Sequence, residues 1–259
     1  MKAAYRISIL AIILMAALSC STTRVLEDGQ YRLARNKIKI DNSRSFNPSV
    51  LDPYLKQKPN SYFIFGWNPF LNIYNWQNGK GQLWDRFVQK IGVAPVVYDP
   101  DMVDSSIENL RNHLTYLGYY NSTVTSNIAV KKKRVDVTYN VTLGKRYPIK
   151  KISYVLPKNE EFSEIFLRDT SNLSIKAGDF LSESALQAET ERSCAVLRNQ
   201  GFYNFSKNYY FFEADTLDVK DSALLQLTIN EYTRNETAKD AQPIRKFYIN
   251  DVQITYPNS

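Results

Sequence analysis

The sequence HLTYLGYYNS at residues 113–122 recurs in altered form as VLRNQGFYNF at residues 196–205. Both stretches carry the pattern Leu-x-x-x-Gly-(Tyr/Phe)-Tyr-Asn. A second similarity relates RYPIKKISYVLP at residues 146–157 to KFYINDVQITYP at residues 246–257. Two different motifs that repeat in the same order along a chain indicate a duplicated module.

The residues around the first copy predict the elements of that module. Apolar residues at helical spacing predict a helix that begins at a capping box, Ser105 and Glu108, and ends at Gly118. Apolar residues at alternate positions then predict strands at 124–130 and 135–141. The module therefore ends in a helix followed by two strands.

The second copy repeats this order with an additional strand and helix in front. Its predicted elements are a strand at 146–156, a short helix within 157–173, a helix at 184–200 with a capping box at Ser184 and Gln187, and strands at 202–213 and 223–230. The first copy opens with a strand near 36–41 and a helix near 48–57. We expect modules at 20–143 and 146–232, and the first strand of an incomplete third module at 244–259.

An insertion at about residues 58–100 separates the two predicted helices of the first module. It holds all three tryptophans, Trp67, Trp76 and Trp84, together with several Tyr and Phe residues. Two interpretations stay open for these rings. They pack against their own module, or they form an aromatic surface for a membrane interface, a sugar or a protein partner.

The N-terminus has the pattern of an export signal. Lys2 and Arg6 precede an apolar run at residues 7–18 that is too short to span a bilayer. The run ends at Ser19-Cys20, which resembles a lipobox, where the thiol is lipidated and becomes the new N-terminus. We expect residues 1–19 to be a signal peptide and Cys20 to carry the lipid; a cleaved signal with an incidental cysteine is the alternative.

Composition and motifs argue against an enzyme. The chain of 259 residues has one His and two Cys and contains no GxSxG, HExxH, P-loop or GxGxxG pattern. We expect no cofactor and no metal site, with His113 at the surface or core edge and Cys194 as an inert core thiol. The basic run at 131–134 is expected to be a solvated turn or to contact anionic lipid headgroups, because an exported chain meets little nucleic acid.

The lipobox together with strand-helix-helix-strand-strand modules resembles the POTRA region of BamA/TamA-type outer-membrane proteins. The resemblance is strongest to the lipidated TamA-like proteins of Bacteroidetes, in which stretches like QKPN at 57–60, IYN at 73–75 and IGVAPV at 91–96 recur. It implies an α+β fold of tandem POTRA-like modules, each a three-stranded sheet with two helices on one face. The barrel that follows POTRA modules in this family does not occur in these 259 residues, so we expect the periplasmic part of a longer protein, or a truncated gene.

The resemblance implies assembly of outer-membrane proteins, without catalysis. The expected partners are unfolded outer-membrane β-barrel proteins and subunits of an assembly complex. The expected location is the outer membrane, where the chain is held by its lipid and the missing barrel and the modules face the periplasm. The alternative from another class is a surface lipoprotein that binds glycan or another ligand through the aromatic insertion.

The expected binding sites are edge strands, because an unpaired edge is a template for an extended chain. In POTRA-like sheets the second strand lies at an edge. The residues expected on these edges are Thr123, Thr125, Asn127, Ala129, Tyr203, Phe205, Asn208 and Tyr210. Asp215-Thr216-Leu217 and Asp221-Ser222-Ala223 resemble the Asp-Ser/Thr-apolar O-glycosylation sites of Bacteroidetes, which implies modification of Thr216 and Ser222; plain turn chemistry is the alternative.

Overall fold

The computed structural model describes residues 22–61, 68–77, 79, 81, 83–217, 219–231 and 243–254. The chain divides into two compact units. The first runs up to His113 and continues through Ser122–Leu143, and the second comprises Leu114–Asn121 and the chain from Gly144 onward.

The first unit contains a three-stranded sheet. Its strands are β1 (Arg32–Ile40), β2 (Thr123–Lys131) and β3 (Arg134–Thr142). They lie in the order β1-β3-β2, with β1 parallel and β2 antiparallel to the central β3. Strand β3 buries every second side chain, as the alternation predicts, and β1 begins four residues before the predicted strand.

Four helical segments accompany this sheet. They are a 3-10 helix (Pro48–Tyr54), α1 (Pro69–Tyr74), α2 (Leu83–Ile91) and α3 (Pro100–Tyr116). The predicted start of α3 at Ser105 is wrong, because Pro100 already supplies a helical φ and Asp101 N–H donates to the Asp99 carboxylate at 2.9 Å. The predicted helix at 48–57 is a 3-10 helix with Pro53 inside it, a residue that cannot donate the bond an α-helix requires.

The second unit repeats the topology of the first. Its elements are β4 (Ile149–Val155), α4 (Glu160–Asp169), α5 (Glu183–Asn199), β5 (Tyr210–Asp215) and β6 (Ala223–Ile229). The strand order is β4-β6-β5, with β4 parallel and β5 antiparallel to the central β6. The predicted α+β fold with two three-stranded sheets is confirmed.

One apolar core in the second unit holds both helices against the sheet. It joins Phe162 of α4 and Leu197 of α5 to Leu227 and Ile229 of β6, so the two helices share one face. Cys194 is buried in the same core, as predicted. The N-cap of α5 is Ser182 rather than Ser184, since the Ser182 hydroxyl accepts from Ala185 N–H at 3.3 Å.

The first half of the predicted strand at 202–213 is wrong. Phe202 and Phe205 are buried, with ring centroids each 5.1 Å from that of Phe162, and Tyr209 is buried behind them. These spacings of three and four residues require turns and a short 3-10 helix, whereas a strand would alternate. The strand therefore begins at Tyr210.

The repeated Leu-x-x-x-Gly-aromatic pattern is a helix C-terminus. In α3 the N–H of Tyr119 donates to the Leu114 carbonyl at 2.8 Å, and in α5 the N–H of Phe202 donates to the Leu197 carbonyl at 3.1 Å. Both bonds span five residues, the pattern of a helix end in which glycine takes a left-handed conformation. Gly118 and Gly201 have φ values of +85° and +99°, so the predicted stops are confirmed.

The segment at residues 244–254 contacts the second of these helix ends. Phe247 N–H donates to the Gly201 carbonyl at 2.8 Å, and the Phe247 ring lies edge-on to Tyr203 with centroids 6.4 Å apart. Residues 244–254 form no strand, so the predicted third-module strand is not present within the described residues. A strand needs a neighbour to complete its hydrogen bonds, and none of the described strands pairs with this segment.

Candidate functional site

Strand β2 is an open edge of the first sheet. It pairs with β3 in an unbroken register from Thr123↔Thr142 to Lys131↔Arg134, and no described strand lies on its other side. Proteins normally protect such edges with charged residues, proline or bulges. From Thr123 to Val130 the sequence TVTSNIAV has neither charge nor proline, and the register has no bulge. The edge is therefore an unprotected template for another strand.

The hydrogen bonds of the sheet identify which backbone groups face this open side. Asp41 N–H donates to the Val141 carbonyl and Arg32 N–H to the Lys133 carbonyl, each at 2.9 Å. Carbonyls at odd positions along β3 therefore point to β1. Because the backbone N–H and C=O groups of successive residues point to opposite sides of a strand, the even-numbered residues of β3 face β2. They bond to the odd-numbered residues of β2.

The free N–H and C=O groups of β2 therefore belong to even-numbered residues, Val124, Ser126, Ile128 and Val130. The predicted residues Thr123, Thr125, Asn127 and Ala129 do lie on this strand with exposed side chains, but their backbone groups face β3. Sequence reasoning missed the even set. The signal was available in the two-residue turn, because the residues that flank such a turn form a hydrogen-bonded pair.

The open edge also carries apolar side chains. Ile128 is 42% exposed and Val130 is 57% exposed, and both point to the same side of the sheet as the buried Val124. The strand thus offers a main-chain ladder together with two apolar contacts. An amphipathic β-segment is the kind of chain that matches both features.

The opposite edge of this sheet is partly covered. Leu33 N–H donates to the Val96 carbonyl at 2.8 Å, and Tyr98 N–H donates to the Tyr31 carbonyl at 2.7 Å. The segment before α3 therefore occupies the start of the β1 edge. Among the described edges of the first unit, β2 is the one free along its whole length.

The second unit offers a shorter edge, β5. Asn230 N–H donates to the Tyr209 carbonyl at 2.9 Å, so odd residues of β5 bond to β6 and the free backbone groups belong to Tyr210, Phe212 and Ala214. The strand has six residues, and two of them, Glu213 and Asp215, are charged. This edge is the weaker template of the two.

The residues predicted for the second edge are placed differently by the structure. Tyr203 and Asn208 precede β5, in a turn and in the 3-10 helix Lys207–Tyr209, and Phe205 is buried. Tyr210 is on the strand, but its ring is buried and its hydroxyl shares a hydrogen bond with Ser193. Burial raises the pKa of the Tyr210 hydroxyl well above its ordinary value. Only the backbone of Tyr210 faces the open side.

The basic turn between β2 and β3 is tied to the N-terminal segment of the same unit. Lys133 Nζ donates to the Leu26 and Glu27 carbonyls at 3.1 and 3.2 Å. The Arg134 guanidinium donates to the Thr22 hydroxyl at 3.0 Å. The turn is thus only partly solvated, and Lys131 and Lys132 remain exposed beside it.

The aromatic insertion is partly on the surface. Phe70, Trp76 and Trp84 are each nearly half exposed, which favours the surface interpretation over full packing. Trp67 lies outside the described residues. An open groove of about 630 Å³ runs between the N-terminal segment and this insertion, and Tyr74 is the aromatic residue in its wall.

The predicted modification sites, Cys20, Thr216 and Ser222, stay predictions. Cys20 lies outside the described residues. Thr216 and Ser222 are half-buried in the turn between β5 and β6.

His113 is half-buried and stacks on Tyr54 with ring centroids 3.6 Å apart, and burial lowers its pKa. Among the described residues no group of three His, Cys, Asp or Glu is placed to hold a metal, and no helix there has the length and apolarity to cross a membrane.

Residues 35–144 match the family model of the POTRA domain, described as surface antigen variable number repeat. This stretch holds most of β1 and all of β2 and β3. This part of the chain is therefore similar to a POTRA domain, and the open β2 edge lies within it. A search of the curated proteins finds no match.

Several solved structures are similar to the chain. The POTRA3–5 segment of BamA from Haemophilus influenzae is 13% identical with a TM-score of 0.39, over 80% of this chain and 69% of that one. BamA from Haemophilus ducreyi lacking POTRA domains 1–3 is 17% identical with a TM-score of 0.38, over 77% of this chain and 29% of that one. POTRA1–2 of Omp85 from Anabaena is 12% identical with a TM-score of 0.31, over 79% of this chain and 98% of that one. The chain spans less than a third of the Haemophilus ducreyi protein.

Proposed function

We propose that this chain is the periplasmic POTRA region of an outer-membrane protein assembly or translocation factor. In this proposal its β2 edge binds extended segments of unfolded outer-membrane β-barrel proteins, or of partner subunits, by adding them as a further strand. The observation that carries the proposal is the unprotected β2 edge within a stretch that matches the POTRA family. The lipid at Cys20 holds the region at the outer membrane, with its modules in the periplasm.

The geometry predicts weak and sequence-tolerant binding. The four outward residues of β2 can exchange up to about eight main-chain hydrogen bonds with an antiparallel partner, each worth about 1 kcal/mol net. Ordering about seven partner residues costs about 1–2 kcal/mol each, which offsets all of that gain, so net affinity depends on the side-chain contacts. The contacts of Ile128 and Val130 then favour segments with apolar residues at alternate positions. Such an edge binds many clients and releases them readily.

The test uses a proline at an outward position of β2. Ser126→Pro removes an N–H that faces the open side and bonds to no described strand, so the fold should lose less than about 1 kcal/mol. Binding of a fluorescent peptide with an alternating apolar pattern should weaken at least about fivefold, since a donor is lost and the ring obstructs the partner. The readouts are fluorescence anisotropy and urea unfolding.

Neighbouring substitutions supply the controls. Ser126→Ala keeps the N–H and should bind the peptide as the parent does. Asn127→Pro removes an N–H that bonds to β3, so it should destabilise the sheet by about 3 kcal/mol or more. If Ser126→Pro folds and binds the peptide with unchanged affinity, strand addition at β2 is the wrong mechanism.

A further inference from the structure

Helix α2 has an exposed apolar face. Its buried side is formed by Val88 and by Asp85, whose carboxylate accepts from Gly81 N–H at 3.0 Å. The other side is exposed, with Trp84 at 48% and Phe87 at 53%. We call this face the aromatic stripe, and its members are Leu83, Trp84, Phe87 and Ile91. The rings of Trp84 and Phe87 are stacked with centroids 5.9 Å apart.

The stripe continues onto the neighbouring helix of the same unit. Val93 N–H donates to the Phe70 carbonyl at 3.0 Å, and the side chains of both residues are close to half exposed. Apolar surface therefore extends from α2 to the start of α1. A contiguous exposed patch of this kind marks an interaction surface rather than a chance exposure.

Basic residues flank the aromatic stripe. Arg86 and Lys90 are four residues apart, so they lie together on the side of α2 next to Leu83 and Phe87. Both are exposed, and within the described part of the chain neither forms an ion pair. Residues 58–93 contain four basic side chains and one acidic side chain, the buried Asp85. An apolar face bordered by cations matches a surface of anionic lipid headgroups over acyl chains.

The segment that follows the predicted lipid anchor contacts the helix next to the stripe. Val25 N–H donates to the Asn75 side chain at the end of α1, at 3.3 Å, and Val25 is five residues after Cys20. Five residues span at most about 18 Å, so a lipid on Cys20 would keep this part of the unit at the bilayer surface. Thr22, two residues after Cys20, contacts the basic turn between β2 and β3. That turn adds the exposed Lys131 and Lys132 to the same neighbourhood.

We propose that the aromatic stripe binds the surface of an anionic phospholipid bilayer, with its rings at the level between headgroups and acyl chains. Arg86 and Lys90 contact lipid phosphates in this arrangement. The contact is a second attachment that orients the first unit against the membrane to which the predicted lipid tethers it. It is independent of strand addition at β2, because no residue of the stripe lies on that edge.

The test measures binding to vesicles without the lipid anchor. The chain from residue 20 onward, with Cys20→Ser, keeps every described residue and should co-sediment with phosphatidylglycerol-containing vesicles but only weakly with neutral phosphatidylcholine. Trp84→Ser with Phe87→Ser should lower the partition at least about tenfold. Arg86→Gln with Lys90→Gln should lower it about fivefold per charge removed on anionic vesicles, and little on neutral ones.

A spectroscopic readout locates the contact. A variant that keeps Trp84 alone, through Trp67→Phe and Trp76→Phe, should show blue-shifted emission with anionic vesicles and quenching by brominated acyl chains. The control, Leu167→Ser with Tyr248→Ser, removes two exposed apolar residues of the second unit and should bind as the parent does. Circular dichroism checks that each variant is folded.

Three results would overturn the proposal. The first is a parent chain that does not bind anionic vesicles, and the second is an unchanged partition in the stripe variant. The third is a loss of glycan or protein binding in the stripe variant, together with Trp84 emission that lipid does not shift in the variant that keeps Trp84 alone. None of these results bears on peptide binding at β2, so the two proposals fail separately.

Discussion

Gly118 provides a test of how the repeated helix end is built. The residue has φ +85°, and a Cβ built on it would fall onto the Leu181 carbonyl oxygen. Gly118→Ala therefore carries two costs. A left-handed conformation costs an L-residue about 1–2 kcal/mol. Displacing a backbone carbonyl in a packed region costs about 1–3 kcal/mol more.

Two other glycines separate these costs. Gly178 has φ +97° with nothing within 4 Å of a built Cβ, so Gly178→Ala should cost only the conformational part, about 1–2 kcal/mol. At Gly201 a Cβ would meet Lys246 Cγ at 2.9 Å and the Phe247 carbonyl oxygen at 3.2 Å. The lysine side chain can move, so Gly201→Ala should fall between the other two.

The assay is urea unfolding followed by intrinsic fluorescence. All three glycines belong to the second unit, so the same transition should report all three substitutions. The expected order of destabilisation is Gly118, then Gly201, then Gly178, with unchanged m-values. Equal losses at Gly118 and Gly178 would refute the argument that the close approach of the Leu181 carbonyl adds to the conformational cost at Gly118.

Three further predictions concern the second unit. Phe162→Ala should lower the free energy of unfolding by about 3–5 kcal/mol, because this fully buried ring contacts Phe202 and Phe205. Leu167→Ala, at a half-exposed position of the same helix, should lower it by less than about 1 kcal/mol. Similar losses in the two variants would contradict the assignment of Phe162 to the core. Cys194 should resist thiol reagents at about pH 8 until urea unfolds the chain, since burial raises its pKa to about 11, and rapid labelling of the folded chain would show an accessible thiolate. Burial alone would raise the pKa of Asp169, but hydrogen bonds from Arg192 and Asn172 hold it below its ordinary value. The ionised carboxylate therefore stabilises the fold at pH values above its unfolded pKa, and that contribution is lost as the pH falls through the folded pKa. Asp169→Asn should therefore be less stable than the parent near neutral pH in urea unfolding, and the difference should shrink as the pH falls below the ordinary range of an aspartate. A difference that does not depend on pH would count against this role.

The elements that the sequence predicts correctly are those determined by a local residue pattern. The alternation in β3 and the left-handed glycines after α3 and α5 are all found where they are predicted. Each depends on local chemistry, because a strand with one buried face must alternate and a helix end of this type needs a positive φ.

The elements that sequence misplaces are decided by tertiary contacts. The aromatic residues Phe202 and Phe205 are typical of a strand, but both pack against Phe162 in the core although they are three residues apart. The start of α3 is set by Pro100, five residues before the predicted capping box. At both places the residue types are compatible with either structure, so core packing and backbone geometry decide which one forms.

The candidate site is predicted at the level of the strand but not of the residue. The first edge strand is placed correctly, yet its free backbone groups belong to Val124, Ser126, Ile128 and Val130. The two-residue turn between Lys131 and Arg134 sets their direction, because its flanking residues form a hydrogen-bonded pair, and the prediction did not use this signal. The exposure of the aromatic stripe, by contrast, depends on how α2 packs.

The most direct test of strand addition is amide hydrogen exchange on β2, residue by residue, with and without a peptide that has an alternating apolar pattern. The account predicts that the amides of Ser126, Ile128 and Val130 become protected when the peptide binds, while those of Thr125 and Asn127, which already bond to β3, change little. This alternation is specific to pairing along the open edge. Peptide binding that leaves the even-numbered amides unprotected, or protects both sets alike, would contradict it.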